Sequence, residues 1–142
     1  MDEQLVRWLG EQFDVDERIA RAACWDEQSD VWTVRPPQEP CERYTVVDYL
    51  GDGVVAVTPE NADADGVGQH VAEWDPRRVL REIDAKRRLL ELHAPGQMEY
   101  VDGDVCMVCD VRGEEPFYPC ATVRLLALPY AGRPGYREEW RP

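Results

Sequence analysis

Residues 93–120 read HAPGQMEYVDGDVCMVCDVRGEEPFYPC and carry the most specific chemical pattern in the chain. Three cysteines and one histidine recur along this segment, at His93, Cys106, Cys109 and Cys120. Cys106 and Cys109 form a Cys-x-x-Cys knuckle, whose two-residue gap is typical of a metal-binding turn. Three thiolates and one imidazole make up a tetrahedral shell that Zn²⁺ accepts in structural sites. The segment therefore predicts a structural zinc site with these four side chains as ligands.

The identity of the fourth ligand is left open by the sequence alone. If His93 is not a ligand, another donor could replace it: His70, Cys41, Cys24 or a carboxylate. Otherwise we expect Cys24 and Cys41 to be ordinary small apolar residues and His70 to be a capping or core residue. A redox dithiol at the knuckle is a further alternative, although the strand–helix context and flanking aromatic residue of thioredoxin-like motifs are missing.

Size and charge restrict the class of protein. A chain of 142 residues suits a single domain, here expected to span residues 1–142 and to be stabilised by zinc. The formal net charge is −13, with 29 acidic against 16 basic side chains. Such an excess repels nucleic-acid phosphates and anionic lipids, so direct binding to nucleic acid or membranes is not expected. It is compatible with a basic protein partner, or with mimicry of a polyanion such as DNA.

The compartment is predicted from the absence of targeting patterns and from the thiols. The N-terminus has no hydrophobic signal core, and no apolar run approaches the ~18–20 residues that a membrane span requires. Five cysteines are an odd number, which suits metal ligation in a reducing compartment better than disulfide pairing. We therefore expect a cytoplasmic protein.

Hydrophobic periodicity predicts three helices. Leu5, Leu9, Phe13 and Ile19 recur at roughly helical spacing and predict a helix over residues 2–23. Asp75 as N-cap and Pro76 at the first helical position predict a second helix that runs to about residue 93. Residues 121–128 form a short apolar segment immediately after Cys120 and predict the third.

The second predicted helix should place His93 on its inward face. That face carries Val79, Ile83, Lys86, Leu90 and His93. Lys86 is the anomaly, and either its stem extends past the core edge or its amine pairs with a buried carboxylate. Cys120 should begin the third helix, where the helix dipole favours the thiolate. The zinc site would then join the end of one helix to the start of another.

Between the first two helices the composition changes to β-branched and aromatic runs. Residues 31–34 predict a short strand, and residues 44–50 and 54–58 flank Gly-Asp-Gly and predict a hairpin. Residues 61–68 read as a loop and residues 67–74 as a further short strand. The expected fold class is thus α+β: an N-terminal helix, a small antiparallel sheet, a long central helix, the zinc knuckle and a short C-terminal helix. We expect Tyr136 and Trp140 of the tail to pack back onto the domain.

One basic island interrupts the acidic chain, and it lies on the predicted central helix. It comprises Arg77, Arg78, Arg81, Arg87 and Arg88. The interleaved acidic residues Glu82, Asp84 and Glu91 indicate a solvated, ion-paired face, and the alternative is a docking face for an acidic or phosphorylated partner.

Two blocks resemble a family of small uncharacterised proteins from actinobacteria and their phages, a domain of unknown function. The first is residues 69–88, QHVAEWDPRRVLREIDAKRR, and the second is residues 119–131, PCATVRLLALPYA, continuing into residues 136–140. The resemblance also includes the opening segment, residues 5–9. Members commonly carry a Cys-x-x-Cys before the second block, whereas the usual Thr-Pro-Gly-Pro-Trp after the first helix is here Cys24-Trp25-Asp26-Glu27. The resemblance implies an actinobacterial or phage setting but no activity.

The sequence therefore predicts a non-enzymatic, zinc-stabilised interaction or regulatory protein whose partner is another protein. No catalytic constellation or phosphate-binding loop is evident, and no catalytic residue is proposed. One alternative is an acidic DNA mimic that inhibits a host DNA-binding protein. The other is a zinc-dependent hydrolase or small-molecule-binding protein, which would require an open coordination position and a general base such as His70.

Overall fold

The computed structural model describes residues 2–57, 66–109 and 117–142 and combines helices with short antiparallel strands. The helices are α1 (Asp2–Ala22), α2 (Val67–Glu73), α3 (Pro76–Leu92) and α4 (Ala121–Ala127), with 3₁₀ turns at Leu128–Tyr130 and Glu138–Trp140. The strands are β1 (Thr33–Arg35), β2 (Thr45–Val47), β3 (Gly53–Ala56), β4 (Pro95–Gly96) and β5 (Val105–Cys106). The α+β class predicted from the sequence is confirmed, with its N-terminal helix, three-stranded antiparallel sheet, central helix and short C-terminal helix.

The chain divides into two compact units. Unit 1 comprises Met1–Val15 with Ile83–Pro142, and unit 2 comprises Asp16–Glu82. Helices α1 and α3 each contribute residues to both units, because each unit boundary falls within one of these helices. The expectation that residues 1–142 form a single zinc-stabilised domain stays a prediction.

Unit 2 contains the three-stranded sheet in the order β1-β2-β3. Both pairings are antiparallel, and the register shifts between Val46 and Val47 on the central strand. The carboxylate of Asp48 holds the turn that follows β2, since its Oδ1 accepts the amide N–H groups of Leu50 (3.0 Å) and Asp52 (2.9 Å). The predicted hairpin is confirmed, and the predicted first strand lies slightly later, at Thr33–Arg35.

Helix α2 corrects one prediction, because residues 67–74 were expected to form a strand. Its two buried residues, Gly68 and Ala72, lie one helical turn apart. A Cβ built on Gly68 would lie 2.8 Å from Cγ2 of Val34, so a glycine permits this close approach to the sheet. Since both buried residues are small, the segment shows little helical hydrophobic periodicity. Most of the loop predicted over residues 61–68 falls in residues 58–65, outside the described residues.

The start of α3 is fixed by Asp75, as predicted. Asp75 Oδ1 accepts the backbone N–H of Arg78 at 2.9 Å, which is a helix N-cap bond. Its Oδ2 accepts the backbone N–H of Trp32 at 3.1 Å and so joins the helix start to the segment before β1. At the other end, the N–H of His93 still donates to the carbonyl oxygen of Leu89, so the histidine closes the last helical turn.

The core of unit 1 is built on α1 and the C-terminal tail. Leu5, Leu9 and Phe13 are fully buried on one face of α1. The rings of Trp8 and Trp140 lie 5.4 Å apart between centroids, an aromatic contact that holds the tail against the helix. The predicted return of the tail is therefore confirmed. Ile19, which the periodicity placed inward on the same helix, is exposed in unit 2, and the neighbouring Ala20 is buried there instead.

One of the two explanations predicted for Lys86, pairing of its amine with a buried carboxylate, is not found in the described residues. Its Nζ lies 3.4 Å from the hydroxyl oxygen of Tyr130 and 5.4 Å from the centroid of that ring. No carboxylate pairs with this amine among residues 2–57, 66–109 and 117–142. The half-buried amine is instead stabilised by the electron-rich aromatic face and the phenol oxygen.

Candidate metal centre

The four residues predicted to bind zinc lie together in unit 1. Each of His93, Cys106, Cys109 and Cys120 offers one ligand atom, and these atoms all lie within 4.8 Å of one another. Within the described part of the chain, no other group of three or more histidine, cysteine or acidic side chains is close enough to hold a metal ion. The cluster could therefore hold one ion.

Short elements bring the four side chains together. His93 follows the last residue of α3, and the chain then forms β4, which pairs antiparallel with β5. In this ladder Pro95 lies opposite Cys106, so the strand pairing returns the first cysteine to the end of the helix. Val105 also bridges to Phe117, three residues before Cys120, which is the N-cap residue of α4.

The nitrogen–sulfur distances in the cluster fit a tetrahedral ion. His93 Nδ1 lies 3.3 Å from Cys106 Sγ, 3.4 Å from Cys109 Sγ and 3.7 Å from Cys120 Sγ. An ion with bonds of about 2.3 Å to sulfur and about 2.0–2.1 Å to nitrogen, at tetrahedral angles, separates nitrogen from each sulfur by about 3.5–3.6 Å. The imidazole therefore presents Nδ1 to all three thiols at distances that an ion at the centre of the cluster would require.

Burial divides the ligand set into three enclosed groups and one partly open group. His93, Cys106 and Cys120 are buried, whereas Cys109 is half-buried. The hydroxyl of Thr122 in α4 lies 4.0 Å from Cys109 Sγ. Enclosure lowers the local dielectric, which strengthens the attraction between thiolates and a bound cation.

The knuckle backbone favours the thiolate of Cys106. Burial raises the pKa of this thiol, but backbone N–H groups of Cys109 and Val108 donate to it, and the thiols of Cys109 and Cys120 also stabilise the anion. The stabilising contacts outweigh burial, and the pKa of Cys106 lies below its ordinary value. The turn thus favours the thiolate of Cys106, which is the ionisation state that binds metals.

Cys120 departs from the expectation that the helix dipole would favour its thiolate. Burial is the largest cause and raises the pKa of Cys120 to about 11, although the backbone N–H of Val123 acts in the opposite direction. The neighbouring thiols of Cys106 and Cys109 also raise it, because a second anion nearby is unfavourable. A bound dication would reverse this balance, since it attracts all three sulfur anions at once.

The alternative ligands lie outside the cluster. His70 is exposed on α2, where its ring lies 6.2 Å from the ring of Trp74, so it is not a core residue. Among the described residues it belongs to no group that could hold a metal ion. Cys41, which was expected to be an ordinary small apolar residue, is exposed. Cys24 is half-buried and donates its thiol to the carbonyl oxygen of Ala20 at 3.4 Å, and burial raises its pKa.

Most of the basic island is ion-paired, as predicted. Two pairs lie one turn apart on the helix, Arg78 with Glu82 (3.1 Å) and Arg88 with Asp84 (3.0 Å). Two more join residues distant in sequence: Arg77 with Asp30 in unit 2, and Arg87 with Asp14 in unit 1. These long-range pairs carry no local sequence signal, which is why spacing did not reveal them.

The fold and the cluster together define a small α+β protein with a Cys₃His site that could hold a metal ion. The chain belongs to a family of unknown function, DUF6221, whose model matches residues 2–142. This confirms the predicted membership of a family without an assigned role. No curated protein and no solved structure matches the chain. Within the described residues, no helix has the length and apolar character needed to cross a membrane.

Proposed function

We propose that this protein is a zinc-stabilised interaction or regulatory factor rather than an enzyme, and that His93, Cys106, Cys109 and Cys120 are its zinc ligands. The observation that carries the proposal is the convergence of four protein donors within 4.8 Å of one another, with nitrogen–sulfur distances that suit a tetrahedral ion. An ion held by four protein side chains in a tetrahedron keeps no position for water or substrate. A catalytic zinc site usually leaves one such position open, so the donor set supports a structural role.

The choice of zinc follows from the donors. Soft thiolates with one imidazole in a tetrahedral arrangement suit Zn²⁺, whereas Mg²⁺ and Ca²⁺ prefer oxygen ligands in larger shells. The same four-donor arrangement disfavours a redox dithiol, because the Cys106 and Cys109 thiols would then exchange with a partner while Cys120 and His93 had no role. Bound zinc would hold the three sulfurs as thiolates and fix the ends of α3 and α4.

A protein partner is supported by exposed apolar side chains that lie close to the ligands along the chain. Six hydrophobic side chains of unit 1 within five residues of a ligand in sequence are exposed, namely Leu89, Leu92, Met107, Val108, Phe117 and Leu125. Exposed apolar side chains are more typical of protein-contact sites when they adjoin one another than when they are scattered. The actinobacterial or phage setting belongs to this proposal and rests on the resemblance of residues 69–88 and 119–131. The acidic-mimic alternative stays a prediction that salt-sensitive binding to a basic enzyme would support.

The test combines metal analysis with pull-down from an actinobacterial lysate. Protein purified under reducing conditions should contain about one zinc per chain. The Cys106→Ala variant should lose both the metal and the captured partner, whereas Cys41→Ala, which removes an exposed thiol outside the cluster, should lose neither. Absence of zinc from the parent, or equal metal content in parent and Cys106→Ala, would refute the structural site. Turnover of a substrate that depends on His70 would refute the non-enzymatic role.

A further inference from the structure

We propose that a cleft in unit 2 binds a small molecule through a phosphate or carboxylate group. The cleft has a volume of about 380 Å³, within the range of small-molecule sites, and shares no residue with the metal centre. Three arginines from the first two turns of α3 line it, Arg77, Arg78 and Arg81. Val31 and Ala72 add apolar surface. Arginines beside a partly apolar wall are the combination that orients an anionic group on an organic molecule.

The acidic side chains of the cleft wall are already engaged elsewhere. Asp75 uses both carboxylate oxygens, one on the N–H of Arg78 and the other on the N–H of Trp32. Glu73 accepts the side-chain amide of Gln69 at 2.8 Å. Both carboxylates keep their charge, but the partial positive charge of these N–H donors offsets part of their repulsion of an incoming anion.

Arg81 is the arginine of the cleft whose side chain has no anionic partner among the described residues. Its side chain is exposed and makes no hydrogen bond or ion pair with residues 2–57, 66–109 and 117–142. Arg77 and Arg78 are paired with Asp30 and Glu82, but each guanidinium has five N–H donors, and those pairs leave several unused. Because the paired side chains are partly exposed, these ion pairs are weak and an anion can share the arginines.

The paired arginines are also held in place before any ligand arrives. Asp30 accepts from both Nε and Nη2 of Arg77, at 3.1 and 3.2 Å. The guanidinium carbon of Arg78 lies 4.1 Å from the ring centroid of Trp74, so that group is stacked as well as ion-paired. Side chains that are already ordered lose less conformational entropy on binding, which favours a ligand that needs both.

The negative net charge of the chain limits the attraction between the cleft and an anion to short distances. With a formal charge of −13, the protein repels anions at long range, so only contacts within the cleft can retain one. Binding should weaken as salt rises, because the pairs that form are partly exposed. A compact organic anion fits these conditions better than a polyanion, which would also meet the surrounding acidic surface.

The experiment uses the 142-residue chain supplemented with zinc, and phenyl phosphate and benzoate serve as separate probes. Titration is followed by ¹H–¹⁵N NMR on the indole N–H of Trp32, which lines the cleft. Arg81→Gln should weaken binding about tenfold or more, since one charge-assisted hydrogen bond is lost. Arg88→Gln removes the same charge from the same helix at a position outside the cleft and should change binding less than about twofold.

The outcomes separate the chemistry of the ligand from a general charge effect. Saturable binding with loss in Arg81→Gln alone supports the site, and the tighter probe identifies a phosphate or a carboxylate ligand. No saturable shift of Trp32 with either probe would overturn it, as would equal weakening by Arg81→Gln and Arg88→Gln. Because Arg81 has no side-chain partner in the described structure, its replacement should leave the fold intact.

Discussion

Replacing His93 with alanine should lower the stability of the protein chiefly when zinc is present. His93 Nδ1 lies 3.3–3.7 Å from all three sulfurs, so its loss removes one of four ligands rather than a peripheral contact. Even residues that only support metal ligands change affinity by 10–100-fold, so loss of a ligand should weaken zinc binding by about 100-fold or more. At saturating zinc this lowers the free energy of unfolding by about 2.7 kcal/mol.

The assay is thermal unfolding of parent and variant, with excess zinc and again with a strong chelator. For a chain of this length, 2.7 kcal/mol corresponds to a fall in Tm of about 6–10 °C with zinc. The imidazole is also 8% exposed and fills space in the core, so a smaller loss should persist with chelator. The difference between the two losses measures the contribution of the ligand itself.

Two further variants make this comparison sharper. His70→Ala removes the other histidine, which is exposed on α2, and should keep the full response to zinc. His93→Cys restores a fourth soft donor and should recover part of the zinc-dependent stability. If His93→Ala lost as much stability with chelator as with zinc, the histidine would be a packing residue only. A zinc response lost in His70→Ala would mean that the wrong histidine had been assigned.

Three further predictions concern stability measured by urea unfolding. Gly68→Ala places a Cβ 2.8 Å from the branched side chain of Val34 and should lower the free energy of unfolding by about 1–2 kcal/mol. The control Gly10→Ala adds a Cβ with no atom within 4 Å and should be neutral or stabilising. Equal effects of the two variants would contradict the close packing of α2. Asp75→Ala leaves two backbone N–H groups without their acceptor and should cost about 1–3 kcal/mol, a result that an unchanged urea midpoint would refute. Lys86→Met keeps the aliphatic stem and loses one cation–π contact, so a change above about 1–2 kcal/mol would indicate a stronger partner for the amine.

Sequence patterns predicted those elements whose determinants lie close together in the chain. Asp75 followed by Pro76 marks the start of α3 because capping acts within one helical turn. The Cys106–Cys109 spacing indicated metal chemistry for the same reason, since two residues are enough to form the knuckle. The ion pairs of Arg78 and of Arg88 with acidic residues one turn away were likewise accessible from spacing.

Features that depend on distant partners were missed or mistaken. The segment of α2 was wrongly predicted to be a strand because its buried positions, Gly68 and Ala72, carry small residues. Small residues allow the helix to approach the sheet closely, but they give no hydrophobic periodicity. The partner of Lys86 is an aromatic ring from the tail, and no local rule connects the two. Which ring nitrogen of His93 faces the sulfurs is also a property of the fold that no sequence pattern specifies.

The lengths of β4 and β5 indicate what a bound metal would contribute at this place in the fold. Each strand has two residues, and an isolated two-stranded hairpin is marginal in water even when longer. Yet Val105 and Cys106 are fully buried, and Val123 of α4 is buried with them, so this weak ladder lies within the core of unit 1. Strand pairing of this length cannot order such a segment. A zinc ion bound to His93, Cys106, Cys109 and Cys120 would supply binding energy on the order of 10 kcal/mol at the same point, and thereby hold the ladder against the ends of both helices.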